Sequence, residues 1–221
     1  MARLRRQTWT TLAVAATVSA VAATAAFAGT CDAAGSAASR ELASELLIAR
    51  GDVVRLTDAT LSPANRQGLN ERVAGALGVL PWLLREACDP EAAERLRTWQ
   101  QHALASADDR RALIADLDAA VASHPLDRDA FLQPPPPGRS LREARAIHDT
   151  YCAGCHDDAG NGATDIALPS RDLFAMAQHG PEDEFLARLI NGVKGDATIL
   201  YANPLDDAQI GALLRVYEER R

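Results

Sequence analysis

Apolar residues recur at intervals of three and four along most of this chain, the period of amphipathic helices. Leu42, Leu46, Ala49, Val53 and Leu56 make one such stripe. Ser62-Pro63, a capping residue before a proline suited to a first turn, opens a second. Its inner face is Leu69, Val73, Leu77, Leu80 and Leu84. Pro81 lies inside that stripe and is expected to bend or divide the helix, because it has no N–H to donate. Asp89-Pro90 starts a third helix with Leu96, Trp99 and Ala103 inward. Ser106 and Asp109 stand at capping-box spacing before a fourth, which carries Leu113, Leu117 and Val121 inward and ends at His124-Pro125. Four helices with short connections predict an antiparallel bundle. Trp82 and Trp99 are read as core or interface anchors.

The pattern breaks at Gln133-Pro134-Pro135-Pro136-Pro137-Gly138. Four prolines cannot continue a helix and favour an extended, semi-rigid spacer. Helical spacing resumes beyond it. Ser140 can cap a helix through Ala144 and Ile147 to Tyr151, and Pro181 opens another with Phe185 and Leu189 inward, stopping at Asn191-Gly192. A last helix is capped near Asp206 and buries Ile210, Leu213, Leu214 and Tyr217. The expected fold class is all-α. The expected domains are a helical bundle over 29–132, a proline-rich linker over 133–138 and a second helical domain over 139–221.

Chemistry enters with Cys152-Ala153-Gly154-Cys155-His156, the C-x-x-C-H pattern of c-type haem attachment. Each thiol adds across one porphyrin vinyl group, and two intervening residues let one turn of chain reach both. The histidine that follows comes under the iron as its proximal ligand. C-x-x-C alone is also compatible with a redox pair or half a zinc site. The first half shows no comparable cluster, and His102 and His124 have no partner at metal-ligand spacing.

Residues 1–28 read as a secretory signal: Arg3, Arg5 and Arg6, then an alanine-rich apolar run from Leu12 to Ala26, then Ala26-Phe27-Ala28 as the cleavage signature. The run is mostly Ala and Thr, too weakly apolar to favour a retained anchor. Export agrees with the haem motif, since bacterial c-type haem is fitted outside the cytoplasmic membrane, and the expected location is the periplasm. Cys31 and Cys88 are the two cysteines that the motif leaves over, and a disulfide is the default for such a pair in an oxidising compartment. The formal charge is −7, and removing the three signal arginines leaves 20 basic and 30 acidic residues, a net of −10. Without a basic patch, nucleic acid is not an expected partner class. The field favours basic docking patches on redox partner proteins such as a dehydrogenase, an oxidase or another cytochrome.

From residue 139 onward the chain resembles a class I cytochrome c, over somewhat more than a third of its length. The resemblance implies one covalently attached haem c, held by Cys152, Cys155 and His156. It places Ala144 where the first helix of that domain crosses the last, with Tyr217 as the aromatic packed there, and it puts His148 where the family carries an aromatic. His148 is read as a packing residue, not a ligand. Gly160-Asn161-Gly162 matches a flexible turn. The resemblance also implies a proline carbonyl accepting a hydrogen bond from the proximal histidine, with Pro169 the candidate. Arg171 is either a partner for a haem propionate or an ordinary solvated arginine.

The sequence departs from the family at the distal ligand. The loop 195–205 contains neither Met nor His, and Thr198 stands at the usual methionine position. Met176 and then His179 are the candidates. Lys194 and Tyr201 are remoter ones, and an open distal position is a further alternative. The leading functional expectation is a periplasmic one-electron carrier or electron-transfer subunit. The alternative is a gas or ligand sensor, or a peroxidase-like protein with an open or labile iron. No distal acid–base pair stands out, and no residue is assigned a catalytic role.

Overall fold

The structure is a computed structural model, in which residues 36–133, 141–157, 167–168, 171–191, 203 and 205–219 are described. The expected signal segment, Cys31, the proline run, Pro169 and most of the 195–205 loop lie outside them. Regular structure among the described residues is entirely helical, as the apolar spacing predicts. None of these helices is long and apolar enough to cross a membrane. Residues 31–221 form one compact unit.

Helix α1 spans Ala37–Arg55, α2 Pro63–Glu86, α3 Pro90–Thr98 and α4 Ala107–Ser123. Their starts follow from local chemistry. The side chains of Ser36, Ser62, Asp89 and Ser106 each accept a backbone N–H from the first turn that follows, satisfying donors a helix cannot satisfy itself. Ser106 and Asp109 complete the expected reciprocal box. Helices α1 and α3 both pack on α2 and α4. The predicted stripes meet in one core, from Leu42 and Leu46 through Leu80 and Leu84 to Leu113 and Leu117.

Pro81 does not divide α2, which runs unbroken through it. The missing N–H would have served the Leu77 carbonyl one turn back, and the side-chain amide of Gln100 donates to that oxygen instead, at 2.9 Å. Two apolar expectations also change. Trp82 is 57 % exposed, and Ala103 is exposed because the chain leaves the helix at Thr98 through a 3₁₀ turn. Trp99 does pack against the core and donates its indole N–H to Asp116 at 2.8 Å. The end of α2 is a Schellman motif, with Cys88 N–H on Arg85 O at 3.0 Å and Asp89 N–H on Leu84 O at 2.8 Å. Its left-handed position, φ 60°, holds Cys88 where glycine is usual, at a cost of about 1 kcal/mol.

The second half comprises α5 (Asp129–Leu132), α6 (Leu141–Ile147), α7 (Ala153–His156), α8 (Leu173–His179), α9 (Glu182–Asn191) and α10 (Asp207–Glu218). Its core gathers Ala144, Ile147, Met176, Phe185, Leu213 and Tyr217. Phe131, which precedes the proline run, is buried in this second core. There α5 crosses α10 so closely that a Cβ on Gly211 would stand 2.1 Å from the Phe131 carbonyl oxygen. Arg215 donates to the carbonyls of Leu132 and Gln133 at 3.0 and 2.6 Å.

The halves meet along α1 and α9. On α1 the face turned from the first core buries Ser44, Glu45 and Asp52. Asp52, only 1 % exposed, accepts from Arg55, from Arg72 of α2 (2.6 Å to Oδ1) and from Arg188 of α9 (2.7 Å). Burial raises the Asp52 pKa, but the Arg72 hydrogen bond and the charges of Arg72, Arg188 and Arg55 outweigh it and leave the carboxyl below its ordinary value. Burial is also what lowers Arg55, to about 10, against the opposing pull of Asp52. Asn191 donates to Glu45 at 2.9 Å on the same junction.

Candidate haem-attachment site

Helix α6 ends as a regular helix at Ile147. The next five residues, His148–Cys152, make a π turn, in which the Ala153 N–H reaches back to the His148 carbonyl. Single π turns interrupt helices mostly at functional positions, and this one ends on the first motif cysteine. Helix α7 then carries the rest of the motif in a single turn. Cys152 is half-buried and Cys155 exposed, both as free thiols. Space around Gly154 is open.

His156 is oriented by one strong contact. Its Nδ1 lies 2.7 Å from the Arg171 carbonyl oxygen. A carbonyl only accepts, so Nδ1 carries the proton and donates. In the neutral ring the lone pair is therefore on Nε2, the form a metal takes. The family resemblance implies a proline carbonyl in this role, with Pro169 the candidate, and Pro169 lies outside the described residues. The observed acceptor is two residues further on. Counting from a motif fixes the segment that approaches the ring, but not which of its carbonyls points at it.

Cys152 belongs to a chain of polar contacts. Its thiol lies close enough to the Tyr217 hydroxyl for each to shift the other's titration. Tyr217 Oη lies 2.9 Å from His148 Nδ1, and His148 Nε2 lies 3.0 Å from Asp157 Oδ1. With an ionised Asp157 accepting, a neutral His148 donates from Nε2 and accepts at Nδ1. Tyr217 then donates its one hydroxyl proton to His148. His148 is buried, with Phe174 and Tyr217 against its ring edge-to-face at centroid distances of 5.2 and 5.4 Å. Its place is thus in the packing, beside the cysteine and not over the site. Sequence reading located His148 and Tyr217 separately. The partner Asp157 was missed, though it directly follows the motif.

Burial raises the Cys152 thiol pKa, opposed by the neighbouring Tyr217 hydroxyl. Among the described residues no cluster of three or more His, Cys, Asp or Glu side chains forms an ion site. The donor set does fit a porphyrin iron: two free thiols on one helical turn, followed by an imidazole whose outer nitrogen is tied to a carbonyl.

The other expected site residues are spread out. Met176 is buried on α8 in the second core. His179 sits exposed in the last turn of the same helix, with Nδ1 2.9 Å from the Ala175 carbonyl. Lys194, Thr198 and Tyr201 lie outside the described residues. Arg171 is exposed by area, yet the surrounding protein and then the neighbouring Arg188 charge hold its guanidinium below the usual arginine range. The chain matches no protein-family model, no curated protein and no solved structure.

Proposed function

We propose that this protein is an exported, periplasmic monohaem c-type cytochrome that passes single electrons between redox partners. It would consist of an N-terminal antiparallel helical bundle and a C-terminal cytochrome c-like domain. The observation that carries the reading is the His156 ring, held by the Arg171 carbonyl beside two free thiols on the same turn. The haem c, bound through Cys152 and Cys155, would supply the reversible one-electron couple.

The chain's own residues do the rest. His156 presents Nε2 to the iron, and its Nδ1–H bond makes the ring a stronger donor. Tyr217 and His148 fix the Cys152 side of the site. Arg171, with no carboxylate partner among the described residues, suits a haem propionate. Met176 is the proposed distal ligand, with His179 the next candidate. The net charge of −10 without the signal favours partners with basic docking faces. A Cys31–Cys88 disulfide belongs to the same proposal, supported by a cysteine kept at a backbone position that glycine would fill without strain.

The absence of Met and His from 195–205 favours one second reading, a ligand sensor with an open or labile iron. Optical spectra of oxidised and reduced protein, with and without carbon monoxide, separate the two. A carrier with Met176 on the iron ignores carbon monoxide, and Met176→Ala makes it reactive. Ready binding by the unaltered protein sinks the carrier reading and favours the sensor.

A further inference from the structure

The N-terminal helices reach the site through the segment that holds His156. A Cβ on Gly68 of α2 would lie 2.3 Å from the Ala167 carbonyl oxygen and 2.6 Å from its carbon. These are backbone atoms, so no side-chain rotation relieves the clash, and only glycine allows so close an approach. Four residues after Ala167, the Arg171 carbonyl accepts the His156 Nδ1–H. One turn along α2 from Gly68, on the same face, Arg72 grips Asp52 of α1, which also binds Arg188 of α9. The Arg171 side chain lies within the field of this cluster, with Arg188, Glu184, Arg72 and Asp52 all acting on it. Ala167, four residues before the acceptor, therefore rests on α2.

We infer that Gly68, with the Asp52–Arg72 pair next to it, positions Ala167 and thereby the Arg171 carbonyl that meets His156 Nδ1. The N-terminal helices thereby set the donor strength of the proximal imidazole. Pushing the segment away lengthens the Nδ1–H bond, makes the ring a poorer donor and favours the reduced iron. The geometry stands on the apoprotein, while the effect on the iron rests on the haem reading above.

The test compares Gly68→Ala with Gly75→Ala in the full chain. Gly75 lies on the same helix with nothing within 4 Å of an added Cβ, so it controls for the general effect of alanine in α2. Two quantities are read: the midpoint potential of the haem-loaded protein, and the ¹⁵N-resolved Nδ1–H resonance of His156 in the haem-free chain. Gly68→Ala is expected to move the oxidised-to-reduced ratio at fixed ambient potential about tenfold towards the reduced form, about 59 mV for one electron. It should also shift the Nδ1–H resonance upfield and speed its exchange with solvent. Gly75→Ala should change neither. If Gly68→Ala does not fold, Arg72→Lys, which keeps the charge and loses the two-pronged grip, is expected to move both readouts the same way. A folded Gly68→Ala protein with unchanged potential and unchanged Nδ1–H resonance overturns the inference. If the unaltered chain takes up no covalent haem, the haem reading fails, and the resonance alone still decides the positioning role.

Discussion

The core enclosed by α1–α4 is built from leucine, valine and alanine, with Trp99 only at its margin. The core around α6, α8 and α10 instead packs Phe174, Phe185, Tyr217 and His148 edge-to-face, at centroid distances of 5.0–5.6 Å. Aliphatic side chains fill space and exclude water, and nothing in them titrates. Rings also carry directed polar groups, and here the Tyr217 hydroxyl meets His148 Nδ1 while His148 Nε2 meets Asp157. In the first half the buried charge, Asp52, lies outside the aliphatic core, on the face that meets α9. An aliphatic region thus stands against an aromatic, polar one that carries the Cys152–His156 motif, and the two meet at the Asp52 cluster and at Gly68.

The largest test of this division removes the chemistry and leaves the support. Cys152→Ala with Cys155→Ala should abolish covalent haem while the helical circular dichroism of α1–α4 persists. Retention of covalent haem would break the assignment.

Next in size is the junction. Asp52→Asn leaves three arginines short of their shared counter-charge, and breaking such a buried cluster costs about 3–5 kcal/mol. Because the carboxyl titrates below its ordinary value in the folded chain, its stabilisation is present above the unfolded pKa near 3.8. It is lost as pH falls through the folded value. Chemical denaturation from pH 7 to pH 3 should show a steeper loss for the unaltered protein than for Asp52→Asn. Parallel curves would remove Asp52 from the account.

A cavity in the supporting core sharpens the contrast. Leu46→Ala, at a fully buried position, should cost about 2–5 kcal/mol and leave the spectrum of the attached haem unchanged. Tyr217→Phe should cost less, about 1–3 kcal/mol for the stranded His148 nitrogen, yet alter the haem environment. Equal spectral effects from the two would erase the distinction. The smallest effect is Ser106→Ala, about 1 kcal/mol for a lost cap, measured by thermal unfolding, with no change at the haem.

Much of this was legible in the chain because the relevant physics is local. Three-four spacing marked the inward faces of α1, α2, α4 and α10, and the caps at Ser62, Asp89, Ser106 and Asp206 marked the starts. What stayed hidden is tertiary. The Asp52 cluster left no local signal, since Arg72 and Arg188 are 20 and 136 residues away from it. Pro81 read as a break because the compensating donor, Gln100, belongs to another element. The motif cysteines and His156 were evident, but the Arg171 carbonyl that holds the ring left no signal of its own.

The most direct test of the central claim is a reduced pyridine haemochrome spectrum and an intact mass, on protein produced with c-type maturation and washed in acidified acetone. The account predicts one haem per chain that survives extraction, with the spectrum of a porphyrin whose two vinyl groups are saturated. A chain of unmodified mass, or haem that washes out, would contradict it.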